Sequence, residues 1–158
     1  MANNFEQHGY LSAVLTKADG TKKVLARWNH NLLTNGGRDW MHNQVYTNTA
    51  AGTRGANYIA STESTITPAA GDTTLSGEIT TNGLARIEAL TKTHSGGSNS
   101  TVLEHTFTAT GAFTDVKASA LFNASSSGTM PHIANFSTGS GTLATNDTLK
   151  ITWTLQLS

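Results

Sequence analysis

The stretch Asp147-Thr148-Leu149-Lys150-Ile151-Thr152-Trp153-Thr154-Leu155-Gln156-Leu157 decides the fold. Leu149, Ile151, Trp153, Leu155 and Leu157 fall on one parity and Thr148, Lys150, Thr152, Thr154 and Gln156 on the other, the period of a strand that buries one face. Each large apolar side chain is worth roughly 1.5–3 kcal/mol when fully buried. The strand is therefore expected across the middle of a core, and truncating it is expected to unfold the domain.

Working outward, Tyr10–Thr16 and Lys23–Trp28 flank Asp19-Gly20, a dipeptide that readily supplies the positive φ angles of a tight hairpin turn. Asn29–Gly37 then reads as a polar link in which Thr34 or Asn35 caps a helix near residues 36–46. Helical spacing puts Trp40, Met41 and Val45 on the core side and Arg38, Asp39 and Asn43 in water. Tyr58-Ile59-Ala60 reads as a short strand, and Leu75–Ile79 as either a helical turn or a bent edge segment. Ala85, Ile87 and Ala89 alternate with Arg86, Glu88 and Leu90, which predicts another strand. Thr101–Ala109, Val116–Phe122 and Met130–Phe136 complete the set, with Pro131 confined to an edge, a strand start or a bulge because it has no N–H to donate. About eight or nine short strands with one early helix predict an all-β fold, an antiparallel β-sandwich or jelly roll. Residues 1–9 read as a flexible N-terminal arm and 10–158 as one sandwich domain.

Composition narrows the function classes. The 158-residue chain has no cysteine, so disulfides and thiolate metal sites are excluded. Charged residues make up 13%, about half the usual share of roughly a quarter. Ten basic residues balance ten acidic ones, leaving no global field to gather nucleic acid or an acidic membrane surface. No apolar run is long enough for a membrane span and Met1–Glu6 does not resemble a signal peptide, so synthesis in a cytoplasm is expected.

Catalytic constellations are equally scarce. His8, His30, His42, His94, His105 and His132 are scattered without a ligand spacing, so no metal or cofactor is expected. Glu104 and His105 are adjacent in a strand and point to opposite faces, which prevents joint action on one atom. No Gly-x-Ser-x-Gly elbow or Walker-type loop is present, and Asp72, Glu78, Asp115 and Asp147 have no spacing that favours a glycosidase pair or a calcium site. The chain does not read as an enzyme. Trp40 and Trp153 read as core residues, whereas Trp28, at a strand end, is the indole expected at the surface, where it could stack a sugar.

The order of landmarks resembles a family of small structural proteins from tailed bacteriophages. The resemblance rests on Asn31–Trp40, Tyr58-Ile59-Ala60, Pro68–Ile79, Gly83–Arg86, Ala120–Asn123, Gly128-Thr129-Met130, Phe136 and Asp147–Trp153. The chain departs from that pattern after Ala60, where Ser61-Thr62-Glu63-Ser64 stands in place of a glycine pair. The resemblance implies a virion location on the capsid surface: a decoration (cement) protein that binds the major capsid protein, as a homotrimer. The alternative is a tail-fibre or baseplate module that touches a host glycan through Trp28 or the loop around Thr47–Ala56. The expected partner-binding residues are Asn4, Phe5, His8 and Trp28, the first three in an arm able to order on a neighbouring subunit.

Overall fold

The computed structural model describes residues 7–42 and 55–157. In chain order these form β1 (Gln7–Thr16), β2 (Lys22–His30), β3 (Leu32–Leu33), α1 (Asn35–His42), β4 (Tyr58–Thr62), β5 (Ile87–Glu88), β6 (Thr91–His94), β7 (Ser100–Thr108), β8 (Phe113–Val116), β9 (Ala118–Phe122), β10 (His132–Asn135), β11 (Gly141–Leu143) and β12 (Thr148–Leu157). The twelve described strands exceed the expected eight or nine because several are only two to four residues long.

β12 is central, as its alternation predicts. It is flanked by β1 and β7 in an antiparallel sheet of order β2-β1-β12-β7-β6. Leu149, Ile151 and Trp153 are fully buried, Leu155 partly so. A second antiparallel sheet, of order β3-β10-β9-β4-β5, packs against this face through Ile59, Leu121 and Ala134, and β8 and β11 form a separate two-stranded ribbon. The architecture is an antiparallel β-sandwich. The Trp153 indole N–H spans the two layers by donating to Ser119 Oγ at 3.3 Å, and the Ser119 hydroxyl in turn donates to the Ala60 carbonyl at 2.8 Å.

The second sheet is covered on both faces. Tyr58, Ala60, Ala120, Phe122, Met130 and Ile133 form a second apolar cluster on its outer side, roofed by Leu75 and partly by Ile66. Every residue of β4 and β9 is consequently buried. A strand buried on both faces has no polar parity to display, which is why Tyr58–Thr62 shows no alternation in sequence.

Some local expectations are met, and others need correction. β1 begins at Gln7, so Gln7, His8 and Gly9 belong to a strand paired with Leu157, Gln156 and Leu155, and not to an arm. α1 starts at Asn35 under a Thr34 cap, whose Oγ1 accepts the Gly37 N–H at 3.0 Å, and continues to His42. Trp40 and Met41 are only half-buried, because the helix makes its close approach through Gly37, where an added Cβ would meet the Pro131 backbone at 2.5 Å. Val45 and Asn43 lie outside the described residues. Leu75–Ile79 is a turn that ends in a bridge between Glu78 and Thr62. The alternation over Ala85–Leu90 does not mark a regular strand: Ala85 and Ile87 are exposed, Ala89 is buried, and only Ile87–Glu88 pairs. Here the chain crosses from β5 in one sheet to β6 in the other, so parity has no single face to report. Arg86 instead turns inward over the Phe122 ring, 3.4 Å from its centroid, and forms a two-pronged pair with Glu78 while donating to the Ser127 carbonyl at 2.7 Å. Glu78 is thereby committed to the framework.

Candidate functional site

The site begins with a defect in the β1–β2 ladder. Leu11 opposes Asn29, Ala13 opposes Ala26 and Val14 opposes Val24, so β2 carries two residues more than β1 over this span. The first extra residue, Leu25, lets Leu25 and Ala26 both enter the core; the second sends both Arg27 and Trp28 to solvent. Such bulges re-aim side chains at the cost of ladder hydrogen bonds. Other groups supply the missing partners. Thr138 donates its N–H to the Leu25 carbonyl at 2.9 Å and its hydroxyl to the Val24 carbonyl at 2.7 Å, and the Trp28 N–H donates to Ser12 Oγ at 3.3 Å. Farther along, the Asn29 side-chain amide donates to the Asn135 carbonyl of the opposite sheet. The bulge is thus braced by the second sheet and its following loop.

Trp28 has φ +49°, in the left-handed region, and 58% of its surface is exposed. For a bulky side chain this backbone is an outlier. Its ring lies 5.0 Å from that of Tyr10, Tyr10 lies 5.0 Å from His30, and His30 meets His8 edge-on at 5.3 Å. Four rings therefore run in a row over the outer face of the first sheet, at its β1–β2 side. Register places Thr152, Thr154 and Gln156 of β12 beside Ser12, Tyr10 and His8. The row is aromatic and its neighbours along β12 are hydroxyl and amide groups, an arrangement suited to binding.

Of the four expected partner-binding residues, His8 and Trp28 are brought into this row, linked through Tyr10 and His30, which the sequence reading left out. Asn4 and Phe5 lie outside the described residues. The missed members could have been found from the hairpin itself, since Tyr10 and His30 are direct cross-strand partners.

Elsewhere the polar residues serve the framework. Asp147, almost wholly buried, accepts from the backbone N–H groups of Ala144 and Ala18 and pairs with Lys17 Nζ at 2.9 Å; these contacts hold its carboxyl below the ordinary range, the Ala144 N–H first. Glu104 pairs with Lys150 on the outer face, while His105, on the other, packs its ring 4.7 Å from Phe107 and is pushed down by burial. His132 is pushed down to about 4 by desolvation and is neutral near pH 7, with the Asn31 amide on its Nδ1. Among the described residues no three His, Asp or Glu side chains gather to hold a metal ion. No described helix is long and apolar enough to cross a membrane.

A cavity of about 400 Å3 opens beside Trp40, Leu103, Pro131, His132 and Leu155, away from the ring row. Trp40 Nε1 and Gln7 Oε1, both at its wall, are buried without a partner. Its described walls hold no carboxylate but carry Lys92, His94 and His132. Comparison with family models, with curated proteins and with solved structures returns no match.

Proposed function

We propose that this chain is a structural protein of a tailed-bacteriophage virion, a capsid decoration (cement) protein that attaches to the major capsid protein on the outer head lattice as a homotrimer. The observation that carries the reading is where the landmark residues of the resemblance sit. Thr34 caps α1, Asp72 Oδ2 accepts the Ala69 N–H, Glu78 clasps Arg86, Asn123 Oδ1 accepts the Thr129 N–H and Asp147 ties two turns together. Such residues set turns and corners, so sharing them supports a shared framework with those virion proteins. The weakly charged surface also suits many copies packed side by side, since little repulsion opposes them.

The mechanism is linkage: a protein that binds the assembled shell and not its separated parts stabilises the shell by mass action. Attachment is assigned to residues 1–6, because Gln7–Gly9 are committed to β1. Deleting Met1–Glu6 is expected to abolish rebinding to stripped heads with the fold unchanged by circular dichroism; rebinding by the truncated protein would move attachment elsewhere. Antibody-gold labelling of purified virions tests location, with label expected evenly over the heads. The ring row, with Trp28 and His30 exposed, favours a second reading, a tail-fibre or baseplate module that touches a host glycan, for which label at the tail tip is the expected result.

A further inference from the structure

We infer that the row Trp28–Tyr10–His30–His8 is a carbohydrate-binding surface, with Trp28 the stacking platform for the apolar C–H face of a neutral pyranose. The inference deepens the glycan reading by naming the residues and the ligand chemistry, and it holds on head or tail alike.

Three observations carry it. First, Trp28 occupies a backbone conformation that an L residue adopts at a cost, φ +49°, and the protein braces that conformation with Ser12 and Thr138 in place of using glycine there. Gly20, at the tip of the same hairpin, adopts φ +87°, so this stretch of chain does place glycine where left-handed backbone is needed. An indole held out by such a bulge is not there for packing: 58% of it faces solvent. Strain of this kind persists where the surroundings over-determine it, and it clusters at binding sites. Second, the ring faces carry negative potential, which attracts the partly positive C–H groups along one side of a pyranose. Third, the chemistry around the rings is that of sugar recognition. Ser12, Thr152, Thr154 and Gln156 accompany the row along β1 and β12; Thr154 and Gln156 offer a neutral hydroxyl and amide to sugar hydroxyls, while Ser12 Oγ accepts the Trp28 N–H and the Thr152 hydroxyl donates to Glu104. A protein partner would call for an apolar centre sealed by a rim. The other exposed large apolar side chains among the described residues are Ile87 and Leu90, which lie by the opposite edge of the sandwich at β5 and β6.

The test uses the full chain and needs no prior ligand. A glycan array of bacterial surface polysaccharides identifies binders, and methyl glycosides of glucose, galactose and N-acetylglucosamine then serve as soluble probes. Iodide quenching reads the site directly, because Trp153 is fully buried and Trp28 is the most exposed described indole. The expected result is saturable protection of Trp28 from iodide by at least one probe or array polysaccharide. Trp28→Gly is expected to weaken that binding by about tenfold or more, and Trp28→Phe, which keeps a ring, by clearly less. The melting temperature of Trp28→Gly is expected within about 4 °C of the parent, since relief of strain offsets the lost ring contact. Absence of any array or probe binding would overturn the inference, as would equal binding by Trp28→Gly. A larger fall in melting temperature with binding no weaker in Trp28→Gly than in Trp28→Phe would make the indole structural. Loss of head rebinding by Trp28→Gly, with no sugar bound by the parent, would assign the row to a protein partner. Failure of the virion reading itself appears separately, as absence of gold label from every particle.

Discussion

Trp153 lies in the middle of β12 with none of its surface exposed, whereas Trp28, with only β1 between their strands, stands on a bulge with more than half of its surface in solvent. Trp153 has extended backbone neighbours on both sides, a hydrogen bond from its indole into the second sheet and a place at the centre of the larger apolar cluster. Trp28 has a left-handed backbone, one tilted neighbour ring and no place in either cluster. The side chain is the same, so the difference lies in what the backbone does with it. A regular ladder delivers an indole to the core; a bulge delivers it to solvent.

The contrast is open to direct attack. Replacing Trp153 by Ala is expected to cost about 3–5 kcal/mol, the range for large-to-small changes in a packed core. Urea unfolding monitored by circular dichroism gives the number, and a loss under about 1 kcal/mol would mean that the sandwich is not organised on this side chain. His132, whose ring lies 6.3 Å from that of Trp153, extends the test to pH. Its pKa is about 4 in the folded protein and 6.5 by default, so between those values the unfolded chain binds a proton that the folded one refuses. Stability from this group is complete above pH 6.5 and falls as pH drops, by about 3 kcal/mol at pH 4. Asp147, also depressed, begins to withdraw its contribution only below its ordinary 3.8, so the two windows separate. Urea midpoints measured from pH 7 to pH 4 are expected to slide in the parent and to stay flatter in His132→Gln.

Two smaller substitutions sharpen the backbone half of the contrast. Gly83 has φ +83°, and a side chain there would overlap the Thr108 carbonyl oxygen, so Gly83→Ala is expected to cost about 1–3 kcal/mol. Trp28→Gly makes the reverse exchange at another left-handed position. Relief of about 1–2 kcal/mol of left-handed strain is set against about 0.5–1.5 kcal/mol of lost ring contact and the greater freedom of glycine in the unfolded chain. The net change is expected within about 1 kcal/mol of zero, several-fold smaller than at Trp153. Differential scanning calorimetry of both variants decides it: similar losses at Trp28 and Trp153 would erase the distinction drawn between them.

What could be read from sequence follows from how one-dimensional each feature is. β12 and the Asp19-Gly20 turn were legible because strand parity and turn chemistry are local, and they were expressed in consecutive residues. The exposure of Trp28 was legible only as a matter of its place near a strand end; the two-residue excess in β2 depends on pairing with β1 and on Thr138 in a distant loop. The row itself was illegible from spacing alone, since His8 and His30 meet only after the hairpin closes. Ala85–Leu90 was misleading for the opposite reason. Its pattern is local and regular, yet the segment crosses between sheets, and the inward turn of Arg86 is fixed by Phe122 and Glu78. The double burial of β4 and β9 was hidden because an uninterrupted run of small and apolar residues does not say how many faces are covered.

The pairing of β1 with β12 also sets an order of events. The first strand of the first sheet finds one neighbour at once in β2, but its other neighbour is the last strand of the sandwich. Without β12, both the β1–β2 hairpin and β7 have an open edge. Closing so long a loop is slow, and unpaired edges are where chains of this kind meet other copies of themselves. The sheet is built as a clasp is, with the piece that comes last in the chain lying between the two halves it joins.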